Sequence, residues 1–144
     1  MPDRILVIED DAPTRYAYES ALSRAGYRTH GYTSYFEAAE DIDKGAGALL
    51  VVDLQLPPRT PTGLAIARMA WLHRPGLPII FITGFHELAE LTDPEMGPVM
   101  LKPVELDLLV SAVRERLKSA ISSPRDVPAS RDACFHDRYN NYGF

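Results

Sequence analysis

Charged and hydroxyl residues stand at the ends of four short apolar runs in this chain. Glu9-Asp10-Asp11 follow Ile5-Leu6-Val7-Ile8, and Asp53 follows Leu49-Leu50-Val51-Val52. Thr83-Gly84 follow Ile80-Phe81-Ile82, and Lys102-Pro103 follow Val99-Met100-Leu101. Carboxylates gathered in one place repel and call for a cation. The natural hard cation for oxygen ligands is Mg²⁺. Each piece alone has a plain reading. An acidic run before a helix caps it and complements its dipole. A strand-end aspartate or a Thr-Gly pair makes a turn, and Lys-Pro opens a helix. Their joint, ordered occurrence is what points to a site.

Short apolar runs bounded by polar residues read as buried parallel strands. Strand and helix signals alternate five times. Strands are predicted at 4–8, 27–31, 48–53, 78–82 and 98–101, the second a weak edge. Asp11 caps a first helix with Pro13 in its opening turn, and Gly26 ends that element. Ser34-Tyr35-Phe36-Glu37 reads as a capping box for a helix to about Lys44. A Pro/Thr-rich loop, 54–62, leads to a helix through His73. The final helix carries Leu106, Leu109, Val110, Val113, Leu117 and Ile121 on one face. This alternation predicts an α/β fold with a doubly wound five-stranded parallel sheet. In such sheets chemistry sits beyond the carboxyl ends of the strands, which would bring the four pieces together.

The chain has 144 residues and formal net charge −5, which argues against a general nucleic-acid binder. Its one cysteine, Cys134, excludes an internal disulfide and fits a reducing compartment. No signal-peptide pattern and no apolar stretch of the ~18 residues that span a bilayer are present. A cytoplasmic protein without membrane contact is expected. Lysines are scarce, only Lys44, Lys102 and Lys118, so one at a strand end stands out.

The order acidic cluster, aspartate, small hydroxyl, Lys-Pro resembles the receiver domain of bacterial two-component response regulators. The resemblance covers about residues 3–121, with residues 1–121 expected as the receiver and 122–144 as a tail without an output domain. It implies the flavodoxin-like strand order 2-1-3-4-5. It implies that Asp53 is the phosphoacceptor, served by a sensor histidine kinase or phosphotransfer protein. Asp10 would ligate Mg²⁺ directly, Glu9 through water, and Gln55 through its main-chain carbonyl. Thr83 would hydrogen-bond a phosphoryl oxygen, and Lys102 would pair with another. Pro103 would follow Lys102 through a cis bond. Phosphoryl transfer is mostly positioning and charge neutralisation, which suits this inventory. The expected role is a stand-alone phosphorelay or signalling switch, monomeric or weakly dimeric, limited to its own phosphorylation and slow dephosphorylation.

The chain departs from the family pattern in three places. The usual glycine eight residues after the acceptor is Pro61, with Gly63 two positions later. The usual switch aromatic before the lysine is Val99. Pro94, Gly97 and Pro98 should leave the fourth helix short or irregular, weakening the usual dimer face. Two other readings compete. A haloacid-dehalogenase-like phosphatase would need an acid where Gln55 stands. A phosphorylation-independent pseudo-receiver is disfavoured by the intact Glu9, Asp10, Asp53, Thr83 and Lys102. The tail residues Cys134 and His136 make a poor metal pair.

Overall fold

The computed structural model describes residues 3–122. The tail from 123 onward, with Cys134 and His136, lies outside the described residues. Five parallel strands form one sheet in the order β2-β1-β3-β4-β5. They are β1 Arg4–Ile8, β2 Arg28–Tyr32, β3 Leu49–Asp53, β4 Ile79–Thr83 and β5 Val99–Leu101. The helices are α1 Ala12–Arg24, α2 Tyr35–Asp43, α3 Gly63–His73, α4 His86–Ala89 and α5 Leu106–Ser122. The expected architecture and strand order are both present.

The pleat sorts each strand's side chains onto opposite faces. Leu6, Ile8, Leu50, Val52, Ile79 and Phe81 pack with Ala38 and Ile42 of α2 and Ile66, Ala67 and Trp71 of α3. Ile5, Val7, Leu49, Val51, Ile80 and Ile82 pack with Tyr18 and Leu22 of α1 and Leu109 and Val113 of α5. Burial on both sides explains why β1, β3 and β4 read as unbroken apolar runs. In β2 only Tyr32 is fully buried, as an edge strand allows.

Several boundaries differ by a residue from those expected, for physical reasons. Pro78 and Pro98 lack an N–H, so each stands just before its strand while its carbonyl still accepts. Leu50 N–H donates to Pro78 and Phe81 N–H to Pro98. Tyr27 belongs to the close of α1, its N–H donating to the Leu22 carbonyl. The Ser34 capping box does not form. Ser34 makes no side-chain cap hydrogen bond, and Glu37 reaches one residue further back. It accepts from the Thr33 N–H at 2.9 Å and the Thr33 hydroxyl at 2.6 Å. Asp11, by contrast, caps α1 as expected, accepting from Thr14 N–H at 3.1 Å.

The fourth helix is short, as expected. After its single turn, Met96 plugs into the core and Gly97 lies flush on β4. A Cβ at Gly97 would fall 1.6 Å from the Ile79 carbonyl oxygen, so no other residue fits there. Arg116 of α5 donates to the Met96 carbonyl at 3.0 Å and holds the segment down.

Candidate functional site

Register puts the chemistry on one edge. Ile8 pairs with Val52 and with Tyr32, Asp53 with Ile82, and Thr83 with Leu101. The next residue along β1 is Glu9 and along β5 is Lys102. Both therefore overhang the same end of the sheet as Asp53 and Thr83.

Lys102 closes the constellation. Its ammonium donates to Glu9 Oε1 at 2.7 Å and to Asp53 Oδ2 at 2.9 Å. Glu9 and Asp53 are 1% and 4% exposed, so these are ion pairs in a largely dry setting. Burial alone would lower the Lys102 pKa, but its hydrogen bonds to Glu9 and Asp53 more than offset that and raise it. Glu9 goes the other way from a surface carboxylate. Burial is the largest cause, the Lys102 hydrogen bond opposes it, and the Asp53 charge adds to it. The net result moves the carboxyl from 4.5 to about 7. The other Asp53 oxygen, Oδ1, accepts from Gln55 N–H at 2.9 Å.

Asp10 stands at the solvent side of this pair and is exposed. One oxygen from each of Glu9, Asp10 and Asp53 lies within 4.8 Å of the others. An all-carboxylate set with one exposed member fits a small hard cation that keeps several waters. Asp11 is not part of it, because its carboxylate is engaged by Thr14. Gln55 sits where its main chain is next to Asp53, with its side chain exposed.

Thr83 is fully buried. Its carbonyl accepts from Lys102 N–H at 2.8 Å, joining the hydroxyl-bearing and ammonium-bearing strand ends. Its hydroxyl oxygen accepts from Phe85 N–H at 3.1 Å. A Cβ at Gly84 would meet only Lys102 Cβ, at 4.0 Å, so the chain leaves that side open. The Lys102–Pro103 peptide is cis, as the resemblance implied.

Gly63 answers the displaced glycine. A Cβ there would lie 2.1 Å from the Asp53 carbonyl oxygen, and Gly63 N–H donates to Leu54 O at 3.3 Å. The close approach of α3 to β3 is therefore kept at Gly63, and the longer loop is accommodated ahead of it. Arg59 in that loop has φ +67, a left-handed conformation that non-glycine residues seldom adopt.

Two residues near the site carry no mark in the sequence. Arg15 donates from Nη1 to the Glu9 carbonyl at 2.8 Å. Tyr18, 4% exposed on α1, has its hydroxyl pushed up to about 12, chiefly by burial. Nothing in the sequence places Tyr18 beside the carboxylates. No periodicity or motif distinguishes Arg15 from an ordinary surface arginine.

The geometry has counterparts. A family model described as response regulator receiver domain matches residues 5–114. The response regulator receiver protein CpdR of Brucella abortus is 34% identical over 120 residues, covering 81% of this chain and 98% of that protein. Other relatives are longer: the chain spans 31% of the regulatory protein PgtA of Salmonella typhimurium and 59% of the response regulator MprA of a Mycobacterium species. A receiver protein structure from Sinorhizobium medicae aligns with TM-score 0.74 at 29% identity, covering 83% of this chain and 97% of that one. A CheY-like receiver structure from Methanospirillum hungatei shares the fold with TM-score 0.77, over 85% and 98% of the two chains, at 23% identity. The chain belongs to the response regulator receiver domain family of two-component signalling.

Proposed function

We propose that this receiver takes a phosphoryl group on Asp53 from a histidine kinase or phosphotransfer protein and works as a single-domain switch or relay. The observation that carries the proposal is Lys102 bridging Glu9 and Asp53 at the carboxyl edge, beside an exposed Asp10. In the transfer, the donor's P–N bond breaks and a P–O bond forms to an Asp53 carboxylate oxygen. The product is an acyl phosphate, which water later cleaves.

Each residue has a task. Lys102 pairs with a phosphoryl oxygen, exchanging one carboxylate partner for the new anion. Thr83 donates its hydroxyl hydrogen to another phosphoryl oxygen while still accepting from Phe85 N–H. Glu9, Asp10, Asp53 and the Gln55 main-chain carbonyl would hold Mg²⁺. When bound, the ion neutralises charge on the acceptor and the transferring group. Gly84 leaves the approach to Asp53 clear on its side.

The near-complete coverage of CpdR supports the single-domain reading, and the one-turn α4 supports a monomer or weak dimer. Net charge −5 fits partners other than nucleic acid. No described helix is long and apolar enough to cross a membrane, and a cytoplasmic site of action belongs to the same proposal.

Incubation with a small phosphodonor and Mg²⁺, followed by intact mass, tests the reading. A labile gain of one phosphoryl group is expected, prevented when chelator is added before the donor and absent in Asp53→Asn. Calorimetry on Asp10→Asn should show Mg²⁺ binding strongly weakened. Labelling that persists in Asp53→Asn would refute the assignment of the acceptor.

A further inference from the structure

Asp10 can serve a cation only if the turn carrying it is held still, and a residue outside the acidic cluster grips that turn. Arg15 Nη1 donates to the Glu9 carbonyl at 2.8 Å. The Glu9 N–H donates to the Tyr32 carbonyl at 3.0 Å. On the far side, Asp11 is fixed by Thr14. The turn is thus anchored on both flanks of Asp10.

The Glu9–Asp10 peptide is trans, since Lys102–Pro103 is the cis bond recorded among the described residues. In a planar trans peptide the carbonyl of one residue fixes the N–Cα direction of the next. Holding the Glu9 carbonyl therefore aims Asp10. Arg15 is itself well placed for this. Its guanidinium lies over the Tyr16 ring, 5.3 Å from the centroid. Glu37 is close enough that the Arg15 charge adds, after the two Thr33 hydrogen bonds, to the lowering of its pKa.

We infer that Arg15 is a positioning residue for the cation, aiming the Asp10 carboxylate through the Glu9 main chain without touching the ion. The inference rests on the receiver reading above and adds a residue to it. Two effects of Arg15 have opposite signs. Its positive charge repels Mg²⁺, whereas its hydrogen bond orders a ligand. The guanidinium is held at a main-chain carbonyl rather than at a ligand oxygen, and Glu37 offsets part of its field, so the inference has ordering outweigh repulsion. A neutral substitute should then bind Mg²⁺ more weakly, not more tightly.

The test is calorimetric titration of the whole chain with MgCl₂, with urea midpoints recorded in chelator. Arg15→Met should weaken Mg²⁺ binding by up to about tenfold, the limit reached if the whole hydrogen bond goes into ordering Asp10. Arg15→Lys keeps one donor on a long stem and should stay within about threefold. Acetyl phosphate labelling should need proportionately more Mg²⁺ for half-maximal rate, yet recover the unaltered rate at saturation. A general loosening would instead lower the saturated rate, and the urea midpoint by more than the one lost hydrogen bond accounts for. Arg15→Gln, too short to reach the carbonyl, replaces Arg15→Met should that variant fail to fold, and weaker binding is again expected. Mg²⁺ affinity equal to or tighter than that of the unaltered chain in a folded neutral variant overturns the inference. Absence of Mg²⁺ binding by the unaltered chain would sink the cation assignment itself, and this inference with it.

Discussion

Glu9 makes the stability of the metal-free protein depend on pH in an unusual direction. Its carboxyl is raised from 4.5 to about 7 because the folded chain buries it beside Asp53. Between those values the folded state holds a proton that the unfolded state has released. Stability must then fall as pH rises through this window. The contribution is fully present below pH 4.5 and lost above 7. At about 1.36 kcal/mol per pH unit, the loss is on the order of 3 kcal/mol. Lys102 does not confuse the measurement, since its raised pKa keeps it charged throughout. Glu9→Gln removes the ionisation and keeps an oxygen for Lys102. The two proteins should have similar urea stability in chelator at pH 5, and the variant should lead by up to about 3 kcal/mol at pH 8. Added Mg²⁺ should stabilise the unaltered chain most at the upper end, where Glu9 is ionised. A difference between the two proteins that does not grow from pH 5 to pH 8 would refute the reasoning.

Three further outcomes are expected. Lys102→Ala leaves Glu9 and Asp53 buried without their cation. The lysine is 30% exposed, so urea denaturation should show a loss of about 1–3 kcal/mol, below the range for a fully buried pair, and saturating Mg²⁺ should narrow it. Gly63→Ala must move backbone that is 2.1 Å from its new Cβ, and should lose about 3 kcal/mol or fail to fold, read by circular dichroism. Phe85, 48% exposed beside Thr83, presents a phenyl ring that cannot orient water. Phe85→Asn should shorten the phosphorylated lifetime followed by intact mass, and an unchanged lifetime would remove any shielding role.

Much of this arrangement is legible in the sequence because the information is local. An apolar run ended by a charge states both a buried strand and what overhangs it, as at Val52-Asp53 and Leu101-Lys102. Pro94, Gly97 and Pro98 likewise announce a broken fourth helix. What the sequence hides is set by tertiary geometry. Nothing in it indicates that Lys102 already holds two carboxylates. On sequence it looks reserved for the phosphorylated state, whereas the fold engages it throughout. Glu37 is spaced correctly for Ser34 but bonds Thr33, because the turn leaving β2 presents that residue instead. Arg15 is invisible because its partner is a main-chain carbonyl, which has no residue type.

The loop before Gly63 has a practical consequence. Its two ends are pinned by other contacts, Asp53 by Lys102 and Gly63 by the β3 backbone. Closure entropy puts little limit on length, since doubling a flexible loop costs only about 0.6 kcal/mol; here Pro57, Pro58 and Pro61 stiffen the path. Thr60 caps a local turn on Pro57, and Arg59 occupies a conformation that glycine or asparagine would adopt with less strain. A short graft between Thr60 and Pro61, just past that turn, should therefore leave both the turn and the anchors in place. It would set a fluorophore or affinity tag in the loop between β3 and α3 without substituting any residue of the carboxylate cluster. The segment that displaces the glycine is thus also a port for a reporter placed beside the carboxylate cluster.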